Sequence, residues 1–260
     1  MDYFDNKEFL KEKEKYSLFY RMLNSKEKLF YTDHDSYLVG QGSKKFPVWV
    51  WTKDGLSKDK LSELLKVLDE KYFLQEEIKL VCKLELYDYL RQYYETSSYL
   101  EMGFLLCRKL NDVELVEGYV DTLKPSERDL LVKYWQDDYK EMSKGKEVSL
   151  EEAYEEVDKW LSGEKTMFAY RNKDGKPVCL AGYGEDYGLA KVSHVYTPKE
   201  ERCKGYCRTL VYKLTKELLE KGLTPVLYTD YSYVPSNHTY KKVGYEDQGL
   251  LVSCKVKKKA

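Results

Sequence analysis

The stretch from Leu189 to Thr229 constrains the fold more than any other part of the chain. An apolar strand (Leu189–Thr197) is stopped by Pro198. A short loop, R-C-K-G-Y-C (202–207), then leads into a helix from Gly205 to Lys221 that Gly222 closes, and Pro225–Thr229 is a strand again. Two strands joined by a helical crossover in one sheet run parallel. The surrounding elements make that sheet mixed. Leu115–Thr122 reads as a strand, Pro125 opens a helix running to about Lys140, and Ser149 caps another in a capping box with Glu152. Thr166–Arg171 and Pro177–Gly184 flank N-K-D-G-K as a hairpin, while Ser236–Val243 is a short helix and Tyr245–Lys255 a last strand. From residue 115 the order is β-α-α-β-β-β-α-β-α-β, an α+β class with a mixed sheet.

Composition narrows the function classes. The 44 basic and 45 acidic side chains leave a net charge of −1. Without a basic excess, neither nucleic acid nor an anionic membrane is an expected partner. The six cysteines (82, 107, 179, 203, 207 and 254) include no C-x-x-C pair, and three histidines offer no H-x-x-x-H, so no metal site is expected. The charged amino terminus lacks an apolar h-region, and no run of about 18 apolar residues occurs. These features point to a cytoplasmic protein; its oligomeric state is left open between monomer and homodimer.

The loop at 202–207 carries the chemistry. The first turn of a helix has backbone N–H groups without intrahelical partners, and the helix dipole adds about half a positive charge there. Such a terminus binds phosphate. Gly205 lets the main chain approach a ligand, and Arg202, Lys204 and Arg208 add charge. G-K-[ST] is absent, so this is not a Walker loop.

R-C-K-G-Y-C resembles the R/Q-x-x-G-x-G/A motif of the GNAT superfamily of acyl-CoA-dependent N-acetyltransferases. V-Y-T (195–197) before Pro198 looks like that family's central strand. L-Y-T-D-Y-S-Y-V-P-S-N-H-T-Y-K-K-V-G-Y-E (227–246) is similar to its closing pattern, an S-N pair and a tyrosine three residues past the Asn ahead of K-x-G-[FY]. The resemblance covers about residues 115–254. It departs at Cys203, where Gly is frequent, and at Cys207, where Gly or Ala is usual. A disulfide between these two cysteines is disfavoured, because i,i+4 Cβ atoms in a helix lie about 5–6 Å apart.

The resemblance implies a GNAT N-acyltransferase fold and acetyl-CoA as cosubstrate, without a metal. It implies that Val195, Tyr196 and Thr197 hold the pantetheine arm, the Val195 N–H polarising the thioester carbonyl. The segment Arg202, Cys203, Lys204, Gly205, Tyr206, Cys207 and Arg208 would hold the pyrophosphate. Asn237 would bind pantetheine or position the short helix, and Tyr240 would be the general acid that protonates the departing thiolate. The base for the acceptor amine is open among Glu185, Asp186, His194, Asp230 and a water relay, with Glu185 preferred among the side chains and a water relay on an equal footing with it. The expected reaction is acetyl transfer to a primary amine in a ternary complex; the alternative is a catalytically silent acyl-CoA sensor.

Residues 36–109 repeat part of this order. The first thirty residues read as helix; strands follow at Ser36–Gly40 and Val48–Thr52, then a helix capped by Ser57, a strand Ile78–Cys82, a helix Leu84–Tyr94 and a strand Met102–Lys109. V-W-T (50–52) precedes its helix as V-Y-T (195–197) does, and an offset of 146 sets Tyr94 opposite Tyr240. Yet T-K-D-G-L-S-K-D-K (52–60) has no R-x-x-G-x-G counterpart. Two tandem lobes are expected, 1–110 degenerate and 111–260 binding acetyl-CoA.

Overall fold

The computed structural model describes residues 4–72, 77–143 and 145–259. In chain order the first elements are α1 (Lys7–Lys11), α2 (Leu18–Met22), β1 (Leu29–Thr32), β2 (Tyr37–Gln41), β3 (Val48–Thr52), α3 (Lys58–Lys71), β4 (Ile78–Cys82), α4 (Leu84–Tyr93) and β5 (Tyr94–Cys107). Then come β6 (Tyr119–Thr122), α5 (Arg128–Met142), α6 (Leu150–Leu161), β7 (Thr166–Arg171), β8 (Pro177–Asp186) and β9 (Leu189–Tyr196). The chain closes with α7 (Tyr206–Glu220), β10 (Thr224–Asp230), α8 (Val234–Val243) and β11 (Tyr245–Lys258). Among the described residues no helix is long and apolar enough to cross a membrane.

Two compact units result: Met1–Leu105 with Tyr228–Val234 and Asp247–Ala260, and Leu106–Leu227 with Pro235–Glu246. The sequence put one boundary near residue 110. The units interleave instead, because β11 adds its strand to the first: Val252 pairs antiparallel with Cys82, continuing to Val256 with Ile78.

In the first unit the strand order is β1-β2-β3-β4-β11-β5. Strands β3 and β4 are parallel, with Val48 opposite Leu80 and Trp49 opposite Val81, and α3 is their crossover. Leu61, Leu64 and Leu68 of α3 pack on Val48, Val50 and Leu80. The N-terminal segment is not one helix. Its two five-residue helices fold Phe4, Phe9, Tyr16 and Phe19 into an aromatic cluster against Trp49 and Trp51.

The second unit is ordered β10-β9-β8-β7-β6. β6 through β9 are antiparallel neighbours, and β10 pairs parallel with β9, as the crossover helix requires. Helices α5 and α6 cover one face through Leu131, Val157 and Trp160 on Ala169 and Leu180. On the other face Leu210 and Leu214 of α7 meet Val178, Cys179 and Ala181. The capping box at Ser149 forms as its sequence indicates, the Ser149 hydroxyl accepting from the Glu152 N–H.

The repeat extends to nine elements. α1-α2-β1-β2-β3-α3-β4-α4-β5 and α5-α6-β7-β8-β9-α7-β10-α8-β11 follow the same order. The one-residue match of Tyr94 to Tyr240 fails, however. Tyr94 begins β5 after its helix has ended and donates to Asp69 at 2.8 Å, whereas Tyr240 lies inside α8.

Candidate functional site

In the second unit the parallel pair of β9 and β10 is short. Register runs only from Leu189 opposite Thr224 to Lys191 opposite Val226, while β9 itself continues to Tyr196. Beyond Lys191 the β9 edge is outside that ladder. On its other edge β9 holds an extra residue: Leu180 faces Tyr196, but Gly182 faces Ser193. The bulge falls at His194, whose φ of 53° is uncommon for a non-glycine residue. A bulge re-aims the residues next along its strand, here Val195, Tyr196 and Thr197.

His194 itself is committed to packing. Its ring lies 5.3 Å from that of Trp135 and 5.7 Å from that of Trp160, and burial lowers its pKa. A neutral imidazole in an aromatic box serves the bulge.

Past the end of β9 the chain leads to the start of α7. Its N-cap, Gly205, has φ 83° and supplies no side-chain cap, so the first amides of the helix are left to another acceptor. Cys203 also takes a left-handed conformation, with φ 62°. A Cβ at Gly205 would stand 2.8 Å from Val116 Cγ1 and 3.4 Å from Arg208 Nη2. Arg208 Nε is buried without a hydrogen-bond partner among the described residues. A glycine cap, unused amides and a buried, unsatisfied guanidinium nitrogen suit an anionic group.

The first unit shows what closes such a place. There Ser57 Oγ accepts from the Lys60 N–H and caps α3. Beyond Trp49 and Val81, where the parallel register ends, Glu12 accepts from Trp51 Nε1 at 2.9 Å and pairs with Lys83 Nζ at 2.7 Å. The corresponding helix start and strand ends are satisfied from within.

Two expected basic residues point elsewhere. Arg202 donates Nε to the Thr197 carbonyl at 2.9 Å and pairs with Glu141 at 2.8 Å, tying the end of β9 to α5. Lys204 pairs with Glu201 at 2.9 Å. Tyr206 packs its ring 6.0 Å from that of Tyr170.

Thr197, Cys179, Cys207 and Tyr240 act on one another. Thr197 Oγ1 donates to Cys179 Sγ at 3.2 Å. Tyr240 and Asn237 are the buried polar residues of α8. The Tyr240 phenol is pushed well above its ordinary pKa, chiefly by burial and next by Cys207. It is a protonated donor at every physiological pH.

Asp138, on α5, also acts electrostatically on that phenol and is the residue the sequence reading missed. Burial, reinforced by Glu141 and opposed by Arg202, raises its carboxyl to about 7. Its only sequence signal is the Asp137–Asp138 pair on a helix. Glu185 is not brought into this group. It is exposed, opposite Ala190 near the hairpin tip, five residues along β8 from Leu180, or roughly 16 Å at strand rise. Among the described residues no group of three or more His, Cys, Asp or Glu side chains is placed to hold a metal ion.

Comparison with known proteins agrees with the fold. A model of the acetyltransferase (GNAT) family matches residues 128–245. An acetyltransferase from the GNAT family from Colwellia psychrerythraea superposes with a TM-score of 0.58 at 12% identity, over 88% of this chain and 84% of that one. A GCN5-related N-acetyltransferase from Kribbella flavida gives 0.57 at 14% identity, covering 92% and 93%. One from Sphaerobacter thermophilus gives 0.58 at 11%, covering 86% and 76%. At such identities the likeness is one of fold. No curated protein matches the sequence.

Proposed function

We propose that this chain, which belongs to the GNAT superfamily through its residues 128–245, transfers the acetyl group of acetyl-CoA to a primary amine by direct attack in a ternary complex. The observation that carries the reading is the uncapped α7 terminus at the end of a parallel pair whose register stops after three residue pairs. The amides that follow Gly205, with Arg208, hold the pyrophosphate. Val195 and Thr197 bind the pantetheine arm along the β9 edge outside the ladder. The acetyl-CoA thioester supplies the activated acyl group.

Each protein group then has one task. The Val195 N–H, just past the bulge, stabilises the oxyanion that develops on the thioester carbonyl. Asp138, with its pKa of about 7, removes a proton from the attacking amine. Tyr240 donates its phenolic proton to the departing thiolate. Arg202 keeps Asp138 partly ionised at neutral pH, because its cation opposes the effects of burial and Glu141. One site per chain is expected, since Ser57 and Glu12 occupy the corresponding positions in the first unit.

Calorimetry with acetyl-CoA, followed by thiol release across a panel of polyamines, amino acids, aminoglycosides and peptides, tests the reading. One site with amine-dependent thiol release is expected. Binding with no release for any amine would leave a sensor, and no binding would refute the cradle.

A further inference from the structure

The second unit holds a pair of thiols that the acyl-transfer scheme does not use. Cys179 of β8 is fully buried, and Cys207 in the first turn of α7 packs against the cluster that contains it. Thr197 Oγ1 donates to Cys179 Sγ at 3.2 Å, and each thiol shifts the ionisation of the other across the cluster they share. Cys203, two residues before the helix cap, is exposed. The thiol that shares a packed cluster with Cys207 is on strand β8.

We propose that Cys179 and Cys207 are an oxidation site that takes a hydroperoxide and closes to a reversible disulfide between β8 and the start of α7. The two residues divide the chemistry. Cys207 is only partly buried, and its pKa is lowered by the Cys179 contact and by Thr197, against burial. Cys179 is held as a thiol, chiefly by burial and then by the Cys207 contact. The Cys207 thiolate attacks the terminal peroxide oxygen, forming an S–O bond and breaking the O–O bond; hydroxide leaves from hydrogen peroxide, or alkoxide from an alkyl hydroperoxide, and the sulfur is oxidised to sulfenic acid. Cys179 then attacks that sulfur and loses its proton, and the sulfenic hydroxyl leaves as water. A dithiol returns both residues to thiols.

Bonding draws the sulfurs to about 2 Å and shifts the first turn of α7, where the unused amides lie. Cys207 and Cys179 also act on the Tyr240 phenol, so the same event alters its surroundings. Resting on the acyl-CoA reading above, oxidation is expected to weaken acetyl-CoA binding at least tenfold, reversed by dithiothreitol.

The test uses the full chain treated with hydrogen peroxide, quenched with N-ethylmaleimide and digested with trypsin. Cleavage after Arg202, Lys204 and Arg208 puts Cys203 and Cys207 in separate peptides, so the bridged pair is read directly by mass. The expected product joins the Cys179 and Cys207 peptides, about 2 Da below the sum of the free thiols, and disappears with dithiothreitol. It persists in Cys203→Ser and is absent from Cys207→Ala, where a small residue replaces the thiol. In Cys179→Ala, Cys207 instead accumulates sulfinic acid. A bridge to Cys203, or sulfinic Cys207 in the wild type with Cys179 still alkylatable after denaturation, overturns the proposal. Because this readout needs no ligand, a failed acyl-CoA assignment and a failed oxidation site give different results.

Discussion

Gly205→Ala separates the two demands that the cradle makes on its cap. The residue sits at φ 83°, a left-handed conformation that costs an L-amino acid about 1–2 kcal/mol. Its new Cβ would also lie 2.8 Å from Val116 Cγ1, well inside the ordinary carbon contact of about 3.5–4.0 Å. Relieving that overlap by moving the valine costs about another 1 kcal/mol, the low end for overpacking. The sum, about 2–3 kcal/mol, corresponds to a fall in melting temperature of about 4–12 °C for a unit of this size. Differential scanning calorimetry reads it, and a cycle with Val116→Ala apportions it. The double variant should recover the steric part, a coupling of about 1 kcal/mol, and keep the conformational part. A single variant that melts with the wild type, or strictly additive costs with Val116→Ala, would refute the reasoning.

Two further outcomes are expected of the site. Arg202→Gln removes the cation that lowers the Asp138 pKa, so the acid limb of kcat/KM should move to higher pH; Glu141→Gln removes an anion that raises it, so the limb should move to lower pH. Shifts of the same sign in both variants would dissociate the profile from Asp138. Tyr240→Phe keeps the ring and loses the acid, so kcat should drop about 10- to 10³-fold with acetyl-CoA affinity within about threefold. Unchanged kcat under chemistry-limited conditions would remove the role.

What the sequence made legible is what local rules govern. The Pro198 stop, the Gly205 start and the hairpin at N-K-D-G-K needed only backbone preferences, and all appear where their residues put them. The N-terminal segment misled because aromatic residues at helical spacing are equally able to form a cluster between short helices. Glu12, polar by sequence, is drawn inward by Lys83 and Trp51, more than thirty residues away. Leu29–Thr32 shows no alternation and is half-buried throughout, so its four-residue strand had no period to read. The short helix that carries Tyr240 was legible because its motif is contiguous. Asp138 and Cys179 were not, since each acquires its chemistry from neighbours on α7, the preceding loop or β9 that only the folded sheet brings near.

Asp138→Asn tests the base by two readouts of opposite sign. In the folded chain the carboxyl titrates at about 7, against about 3.9 when unfolded. Between those values the native state binds more protons than the unfolded one, so raising the pH through this window weakens the wild type. The full penalty is present above pH 7, with an upper bound of about 4 kcal/mol for a shift of roughly three units. Asparagine has a similar shape and no charge to desolvate, so the variant escapes that penalty. Its stability relative to wild type should be near equal at pH 4 and rise steadily to pH 8. Activity should go the other way, with kcat at pH 7 falling about 10²-fold or more as the general base is lost. Urea denaturation at pH 4, 6 and 8, paired with rate profiles, measures both. A surface carboxylate would move neither quantity. If wild type and variant denature in parallel from pH 4 to 8, the Asp138 carboxyl is not held at about 7, and its assignment as the base falls with it.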